Sequence, residues 1–362
     1  MAAKTPRASN LELLRILCML LIIGDHLTGQ GGIADYSSLP SSFAFCLIGC
    51  GSRIACSVFV LIGSGFLCEQ PFRTRRPLSL WLSLWLYTVP VTLLCALGGL
   101  PVSFGSLRWA AFPASTRQLW FISDYLVLLI CAPLLDRILH GLPRSAHRAL
   151  LLVLAVPLIA YPTLFGEDGI VSDLAWMFLY EYLLAAYLRR YPDNRLSRLL
   201  RRRALALLLG IGLPLLNTAA RAWLEWQGQT DGKTFQYIAY YRTGLGALPN
   251  LLAALALFTL FQNLNLGSRR WINAVAGATL GVYILHQVPA FRDFLWNGIF
   301  QAQAHHGSVP YALFVVVATF AGCALVDALR TRLLMNPLQN SRPFRMICEK
   351  GDALAAKIQR CD

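Results

Sequence analysis

The sequence predicts an all-α, polytopic membrane protein with about ten transmembrane helices and both termini in the cytoplasm. Its 362 residues are 56% apolar and have a mean hydropathy of +0.54, which is too high for an ordinary soluble domain. Apolar runs that approach about 20 residues, the length that crosses a bilayer, recur along the whole chain. These runs do not alternate with polar residues as the strands of a membrane β-barrel do. We predict spans at 11–29, 43–68, 79–98, 119–136, 149–165, 174–188, 204–220, 244–262, 273–296 and 309–329.

The net charge of +14 is interpreted as a topology signal. Most of the 32 Lys and Arg residues lie at the N-terminus, in every second loop and at the C-terminus, and such residues concentrate on the cytoplasmic side. Because this placement accounts for the basic excess, we expect membrane lipids and no nucleic acid among the partners. We divide the chain into a transmembrane domain, 1–334, and a basic cytoplasmic tail, 335–362, which is weakly amphipathic and suited to the membrane surface.

The first span carries four ionisable residues in an otherwise apolar helix: Glu12, Arg15, Asp25 and His26. A charge at the bilayer centre costs at least about 2.5 kcal/mol, so such residues usually face a protein interior or a water-filled cavity. The helical period places Arg15 and His26 on one face, about 16 Å apart. Glu12 can pair with Arg15, whereas Asp25 points about 100° away from His26. The alternative is an Arg15 that snorkels to the interface and a His26 that is only hydrogen-bonded within the bundle.

Other candidate site residues lie in three separate segments. Glu181 in the sixth span and His286 in the ninth lie well inside the membrane, where an ionisable group indicates a functional site. The alternatives are an ion pair with an arginine of another span for Glu181 and a packing role for His286. Arg73 and Arg76 lie in a basic turn that either binds the phosphates of a nucleotide or CoA donor or only ends a span. The ten cysteines show no metal-binding spacing, so no metal site is predicted.

Five sequence elements occur together in the order found in a known family. Arg15 and His26 match its Arg-x10-His signature, and Arg73-x-x-Arg76 resembles its cytoplasmic Arg-x-x-Arg element. On these elements, over residues 9 to 334, the chain resembles the acyltransferase-3 family of membrane acyltransferases, and within it the bacterial surface-polysaccharide O-acyltransferases. The other three elements are Leu119-Trp120-Phe121 with Ala132-Pro133-Leu134-Leu135, Tyr182-Leu183-Leu184-Ala185-Ala186-Tyr187, and Gly281-Val282-Tyr283-Ile284-Leu285-His286 with Phe294-Leu295-Trp296.

The resemblance implies an O-acyltransferase in a bacterial plasma (inner) membrane. The enzyme would move an acyl group, most often acetyl, from acyl-CoA to a hydroxyl of a cell-surface or lipid-linked glycan, with acetyl-CoA as donor substrate and no permanently bound cofactor. His26 would be the base that activates the hydroxyl, or the acyl carrier in a two-step variant. Arg15 would act with it and, together with Arg73 and Arg76, bind the donor phosphates. The residues expected to support the site are Asp25, Glu12, Glu181 and His286.

The sequence departs from the family pattern at two places and leaves two other functions open. Gly63 interrupts the run before Ser64, which puts a role for Ser64 in doubt, and Gln287 follows His286 where the branch often has Asp. A transporter or flippase of glycan intermediates would also keep charges in its spans, usually within an internal repeat, and none is evident here. A non-catalytic assembly partner would not need both Arg15 and His26.

Overall fold

The computed structural model describes residues 9–68, 70–165, 174–237 and 248–360. Every regular element in these ranges is helical, so the predicted all-α class is confirmed. Two short 3₁₀ turns lie at Thr234–Tyr237 and Ala302–His305. The helices are α1 (Ser9–Gln30), α2 (Leu39–Ile48), α3 (Ser52–Leu67), α4 (Arg75–Leu97), α5 (Phe104–Ala111), α6 (Trp120–His140), α7 (Arg144–Phe165), α8 (Leu174–Arg190), α9 (Arg195–Leu200), α10 (Arg203–Asp231), α11 (Leu248–Gln262), α12 (Arg270–Gln287), α13 (Pro289–Ile299), α14 (Val309–Asn340) and α15 (Arg342–Arg360).

The predicted number of ten spans is not confirmed. Within the described residues, five helical stretches are long and apolar enough to cross a membrane, or six when one bent pair counts as a single span. Several predicted spans correspond to helices that are described over fewer than 18 residues or that carry charges: α11 is described over 15 residues, α8 over 17, and α6 contains Asp124, Asp136 and Arg137. Positions 244–247, at the start of the eighth predicted span, lie outside the described residues.

Prolines explain the local irregularities of three long helices. Pro162, Pro214 and Pro337 each follow a π-helical turn, with one residue between the turn and the proline. Proline has no N–H, and its ring clashes with the carbonyl group four residues earlier, so a wider turn in the preceding backbone relieves both problems. The helix around Pro337 thereby continues to Asn340, past the predicted end of the transmembrane domain at 334.

A fourth proline bends the ninth span. The residue before Pro289, Val288, has ψ of 118°, outside the helical range, as the ring of a following proline favours. The two halves of the span, α12 and α13, therefore meet at an angle of 78°. Because α12 ends at Gln287, the bend lies at Val288, two residues after His286.

Two contacts each join basic segments that are distant in the sequence, as expected if these segments share one end of the bundle, which we call the basic end. The Ser9 hydroxyl accepts a hydrogen bond from the backbone N–H of Arg269 at 2.6 Å, which joins the N-terminus to the loop before α12. Arg144, at the start of α7, forms an ion pair with Asp193, after α8, at 2.9 Å. The positive-inside pattern requires such a common end. That this end faces the cytoplasm stays a prediction.

Gly24 allows α1 to approach the backbone of α2. A Cβ atom at this position would overlap the carbonyl oxygen of Ile48, whereas a Cβ at Gly29, on the same helix, would meet nothing within 4 Å. The glycine is thus required by packing at position 24 and not at position 29.

We expect Gly24→Ala to lower the free energy of unfolding by about 1–3 kcal/mol, because the new methyl group forces α1 away from α2. Gly29→Ala should change it by less than about 1 kcal/mol. Thermal unfolding of the detergent-solubilised full chain, followed by tryptophan fluorescence, measures both variants. Equal stability of the two would show that this close helix contact is absent.

Candidate active site

His26 and His286 meet in the structure although 260 residues separate them in the sequence. The Nδ1 atom of His26 lies 2.9 Å from Nε2 of His286. His286 is fully buried, and its own Nδ1 lies 2.6 Å from the carbonyl oxygen of Val282, one turn earlier in α12. The three groups form a chain of hydrogen bonds that joins α1 to α12.

The carbonyl group of Val282 determines where the protons of this chain lie. A carbonyl oxygen only accepts, so Nδ1 of neutral His286 carries the proton and its Nε2 is an acceptor. The Nδ1 atom of His26 must then be the donor. The opposite arrangement would need a second proton on His286 and would leave a cation in a fully buried position, which is costly. Neutral His26 therefore keeps an unprotonated Nε2, the atom that a general base requires.

Aromatic rings fix the positions of both imidazoles. Trp296 packs edge-on against His286, with 6.2 Å between ring centroids, and Tyr283 lies 6.5 Å from His26 and 6.1 Å from His286. Trp296 belongs to the half of the ninth span beyond Pro289. The 78° bend therefore brings this ring back onto the histidine pair.

Two arginines place positive charge near His26. Arg53 and Arg292 both act electrostatically on its imidazole. The Arg53 guanidinium lies 5.9 Å from the ring centroid of Trp120, and Arg292 lies 3.7 Å from Asp293. Fixed cations of this kind can stabilise an oxyanion that forms beside a general base.

A largely apolar cavity of about 310 Å³ lies one helical turn before His26 along α1, and we call it the inner cavity. Ile22, four residues before His26 on α1, lines it, as does Tyr283, whose ring neighbours that of His26. The aromatic side chains of Phe59 and Phe121 also line the inner cavity. The inner cavity thus offers an apolar space that ends close to the histidine pair.

A second cavity, of about 520 Å³, adjoins the inner cavity, and we call it the basic cavity. Arg76 and Arg330 line the basic cavity, and Arg15 lines both cavities. The guanidinium groups therefore surround a path that leads from the basic end of the bundle towards the histidines. The residues that the two cavities share are Arg15, Leu80, Tyr125, Gly277 and Leu280.

A buried polar cluster holds Arg330 at the basic cavity. The Asp327 carboxylate accepts hydrogen bonds from the Tyr87 hydroxyl at 2.6 Å and from Arg330 at 2.9 Å. The Arg330 guanidinium also lies 4.6 Å from the centroid of the Tyr87 ring. Gly281 of α12 backs this cluster, because a Cβ there would overlap both the Asp327 carboxylate and the Tyr87 hydroxyl.

The structure places the other predicted residues of α1 and of the basic turn as follows. Glu12 forms an ion pair with Arg15 at 3.6 Å. Asp25 accepts a hydrogen bond from the Ser52 hydroxyl at 2.7 Å, so it faces α3 and not His26. Arg76 lines the basic cavity, whereas Arg73 is exposed and borders a separate depression of only about 10 Å³.

Glu181 lies in the bundle interior, apart from the chain of histidines. It is fully buried on α8, and the buried hydroxyl of Ser57 on α3 is its polar neighbour. Three arginines of other predicted spans make contacts elsewhere: Arg15 with Glu12, Arg53 with Trp120 and Arg292 with Asp293.

The sequence analysis missed Arg330 and its partners. Asp327 and Arg330 are three positions apart, a spacing that indicates a paired charge on one helix face. That signal was available, but at the end of a span it is equally typical of charges that stop membrane transfer. Tyr87 lies 240 residues away from Asp327, so only the folded chain brings them together.

The fold and the site define a helical membrane protein with an internal, arginine-lined path that ends close to a hydrogen-bonded pair of histidines. The chain matches the model of the acyltransferase 3 family, described as an acyltransferase domain, over residues 9–328, and it belongs to this family. It is therefore a membrane acyltransferase. No curated protein and no solved structure matches the chain.

We expect Gly281→Ala to displace the Asp327–Tyr87 hydrogen bond and to lower the free energy of unfolding by about 1–3 kcal/mol, because the methyl group overlaps both partners. Gly322→Ala, on α14 where a Cβ meets nothing within 4 Å, is the matched control. Thermal unfolding in detergent gives both values. A Gly281→Ala protein as stable as the control would contradict the described packing of this cluster.

Proposed function

We propose that the protein is an O-acyltransferase of a bacterial plasma (inner) membrane. In this proposal it moves an acyl group, most often acetyl, from acyl-CoA to a hydroxyl of a cell-surface or lipid-linked glycan. Family membership supports acyl transfer. The observation that carries the chemical proposal is the hydrogen-bond chain from His26 through His286 to Val282, because it leaves Nε2 of His26 free to take a proton.

A glycan hydroxyl needs such a base, because it is a weak nucleophile near neutral pH. In the proposed step Nε2 of His26 removes the hydroxyl proton while the oxygen attacks the thioester carbonyl. Arg53 and Arg292 supply positive charge for the oxyanion of the tetrahedral intermediate. The intermediate then collapses and breaks the carbon–sulfur bond. The CoA sulfur leaves with the proton that His26 had taken, so the base is regenerated and the products are the glycan ester and CoA.

The two cavities support a donor that enters from the basic end. Phosphate groups are bound well by guanidinium groups, and Arg15, Arg76 and Arg330 line the basic cavity. The inner cavity beyond Arg15 is apolar and aromatic, which suits a pantetheine arm and its acyl group. Because the inner cavity lies one turn before His26 along α1, it would bring the thioester towards the base.

Surface-glycan acetylation in cells that lack the gene tests the proposal. We expect the wild-type gene to restore the mass increment of one acetyl group on the glycan, measured by mass spectrometry. His26→Ala should reduce the rate of transfer by about 10²–10⁴-fold, because the base is lost. His286→Phe should also reduce it, by about tenfold or more, whereas His286→Gln keeps an acceptor for the N–H of His26 and should lose less.

His140→Ala is the control, because His140 is exposed at the end of α6, away from the histidine pair. Immunoblots of the membrane fraction verify that the variants are present in comparable amounts. An acetylation pattern that is the same with wild-type protein, His26→Ala and an empty vector would reject acetyl transfer to that glycan. Transport of glycan intermediates and a non-catalytic assembly role would then be the functions to test.

Substitution of Arg76 tests the donor path separately. We expect Arg76→Gln to raise the KM for acetyl-CoA by about 10–100-fold, because a charge-assisted contact with a phosphate contributes about 1.5–3 kcal/mol. Arg148→Gln removes an exposed arginine of α7 and should leave the KM unchanged. Steady-state release of CoA by the purified full chain measures both. A KM that is equal in both variants would remove Arg76 from the donor site.

A further inference from the structure

The C-terminal helix α15, Arg342–Arg360, lies beyond the residues 9–328 that match the family, yet it packs on the donor end of the site. We call α15 the tail helix. Its contacts are with the turn that precedes α4 and with the first residues of α4. That turn carries Arg73, and α4 carries Arg76 in its first turn.

The closest of these contacts joins the tail helix to the backbone of Thr74. The N–H of Thr74 donates a hydrogen bond to Oδ1 of Asp352 at 2.6 Å, across 278 residues of sequence. Gly351 makes the approach possible, because a Cβ at this position would lie 2.5 Å from Oγ1 of Thr74. The sequence Gly351-Asp352 thus combines a small residue with a carboxylate at the point of contact.

Arg75, the next residue, is held from the same side. Its guanidinium donates a hydrogen bond to Oε1 of Gln339 at 2.9 Å and lies 5.9 Å from the ring centroid of Phe344 in the tail helix. The amide of Gln339 in turn donates to the Ser79 hydroxyl at 3.1 Å. Two consecutive residues before Arg76 are therefore fixed by the C-terminal segment.

The hydrogen bond from Thr74 also stabilises the start of α4. The first N–H groups of a helix have no partner within the helix, and a negative charge is favourable near them because the helix dipole is positive at this end. Thr74 is the N-cap of α4, and its own side chain makes no capping hydrogen bond. Asp352 therefore supplies a carboxylate where α4 begins, two residues before Arg76 lines the basic cavity.

We propose that Asp352 is a positioning residue for donor binding. By fixing Thr74, it holds the first turn of α4 so that the Arg76 guanidinium stays at the basic cavity, where it meets the phosphates of acyl-CoA. This inference rests on the proposed function, because it assigns the tail helix to the donor site of that reaction. Loss of the contact would weaken donor binding and leave the chemistry at His26 intact.

The experiment compares Asp352→Ala with Glu349→Ala in the full chain. Glu349 is exposed on the same helix, so its substitution removes an equal charge without touching α4. We expect Asp352→Ala to raise the KM for acetyl-CoA by about tenfold with kcat within about twofold of wild type, and Glu349→Ala to change neither. Asp352→Asn keeps an acceptor oxygen and should raise the KM by less than Asp352→Ala. Calorimetric titration with CoA measures binding directly for each protein.

A second pair of variants keeps the test decisive if Asp352→Ala does not fold. Gly351→Val places a valine side chain against Thr74, and Ala353→Val places a valine side chain at an exposed position of the tail helix. The first should weaken CoA binding and the second should not. A wild-type protein that binds no CoA would overturn the proposed function and this inference with it. CoA binding by wild type together with equal KM values for Asp352→Ala and Glu349→Ala would overturn the inference alone.

Discussion

The hydrogen bond between His26 and His286 constrains how the helices of the bundle pack. It joins α1 to α12 across 260 residues, so both helices must reach the same depth and face each other within 2.9 Å between ring nitrogens. Close packing of α1 on α2 at Gly24 fixes the position of α1. The bend at Pro289 fixes the position of His286 on α12, because it brings Trp296 back against the imidazole ring. Val282 then sets the proton positions, so a backbone carbonyl determines which nitrogen of neutral His26 stays unprotonated.

Three other carboxylates have a partner that lowers the cost of placing them inside the bundle, whereas Glu181 has only the Ser57 hydroxyl as a polar neighbour. Glu12 pairs with Arg15, Asp25 accepts from Ser52, and Asp327 joins Tyr87 to Arg330. A polar group in an apolar medium without such a partner is strongly unfavourable. The partners also determine where each charge points. Arg15 and Arg330 both line the basic cavity, and Asp327 lines it beside Arg330, so the ion pairs fix where the two guanidinium groups lie.

Local periodicity made part of this architecture predictable. The apolar runs gave the all-α class, and the helical repeat gave the common face of Arg15 and His26, because both depend on neighbours along one helix. The number of spans was not predictable in the same way. A span bent at a proline has a composition similar to that of a straight span and differs from it in direction.

The partners of the site residues could not be predicted, because they depend on contacts between distant segments. His286 was a candidate from its position in an apolar run, but its bond to His26 and the resulting tautomer require the folded chain. Arg330 and Asp327 showed a paired spacing without showing that a cavity lies beside them. The tail appeared separate because its composition is basic, whereas its helix is amphipathic in the structure. The contact of Asp352 with Thr74 depends on one glycine and one carboxylate, which no periodic pattern indicates.

The placement of Arg15 and His26 on one helix has a consequence for the proposed reaction. A helix rises about 1.5 Å per residue, so the backbone positions of Arg15 and His26 are held about 16 Å apart along a single rigid element. Loops do not set this distance. An extended donor arm anchored at its phosphates would then present its thioester at a fixed depth, and rigid positioning of reacting groups accounts for a large share of catalysis. The other cations, Arg76 and Arg330, come from α4 and α14 at the basic end, so they can hold the donor without altering the distance from Arg15 to the base. Binding strength and reaction geometry are thus set by different helices, and α1 takes part in both.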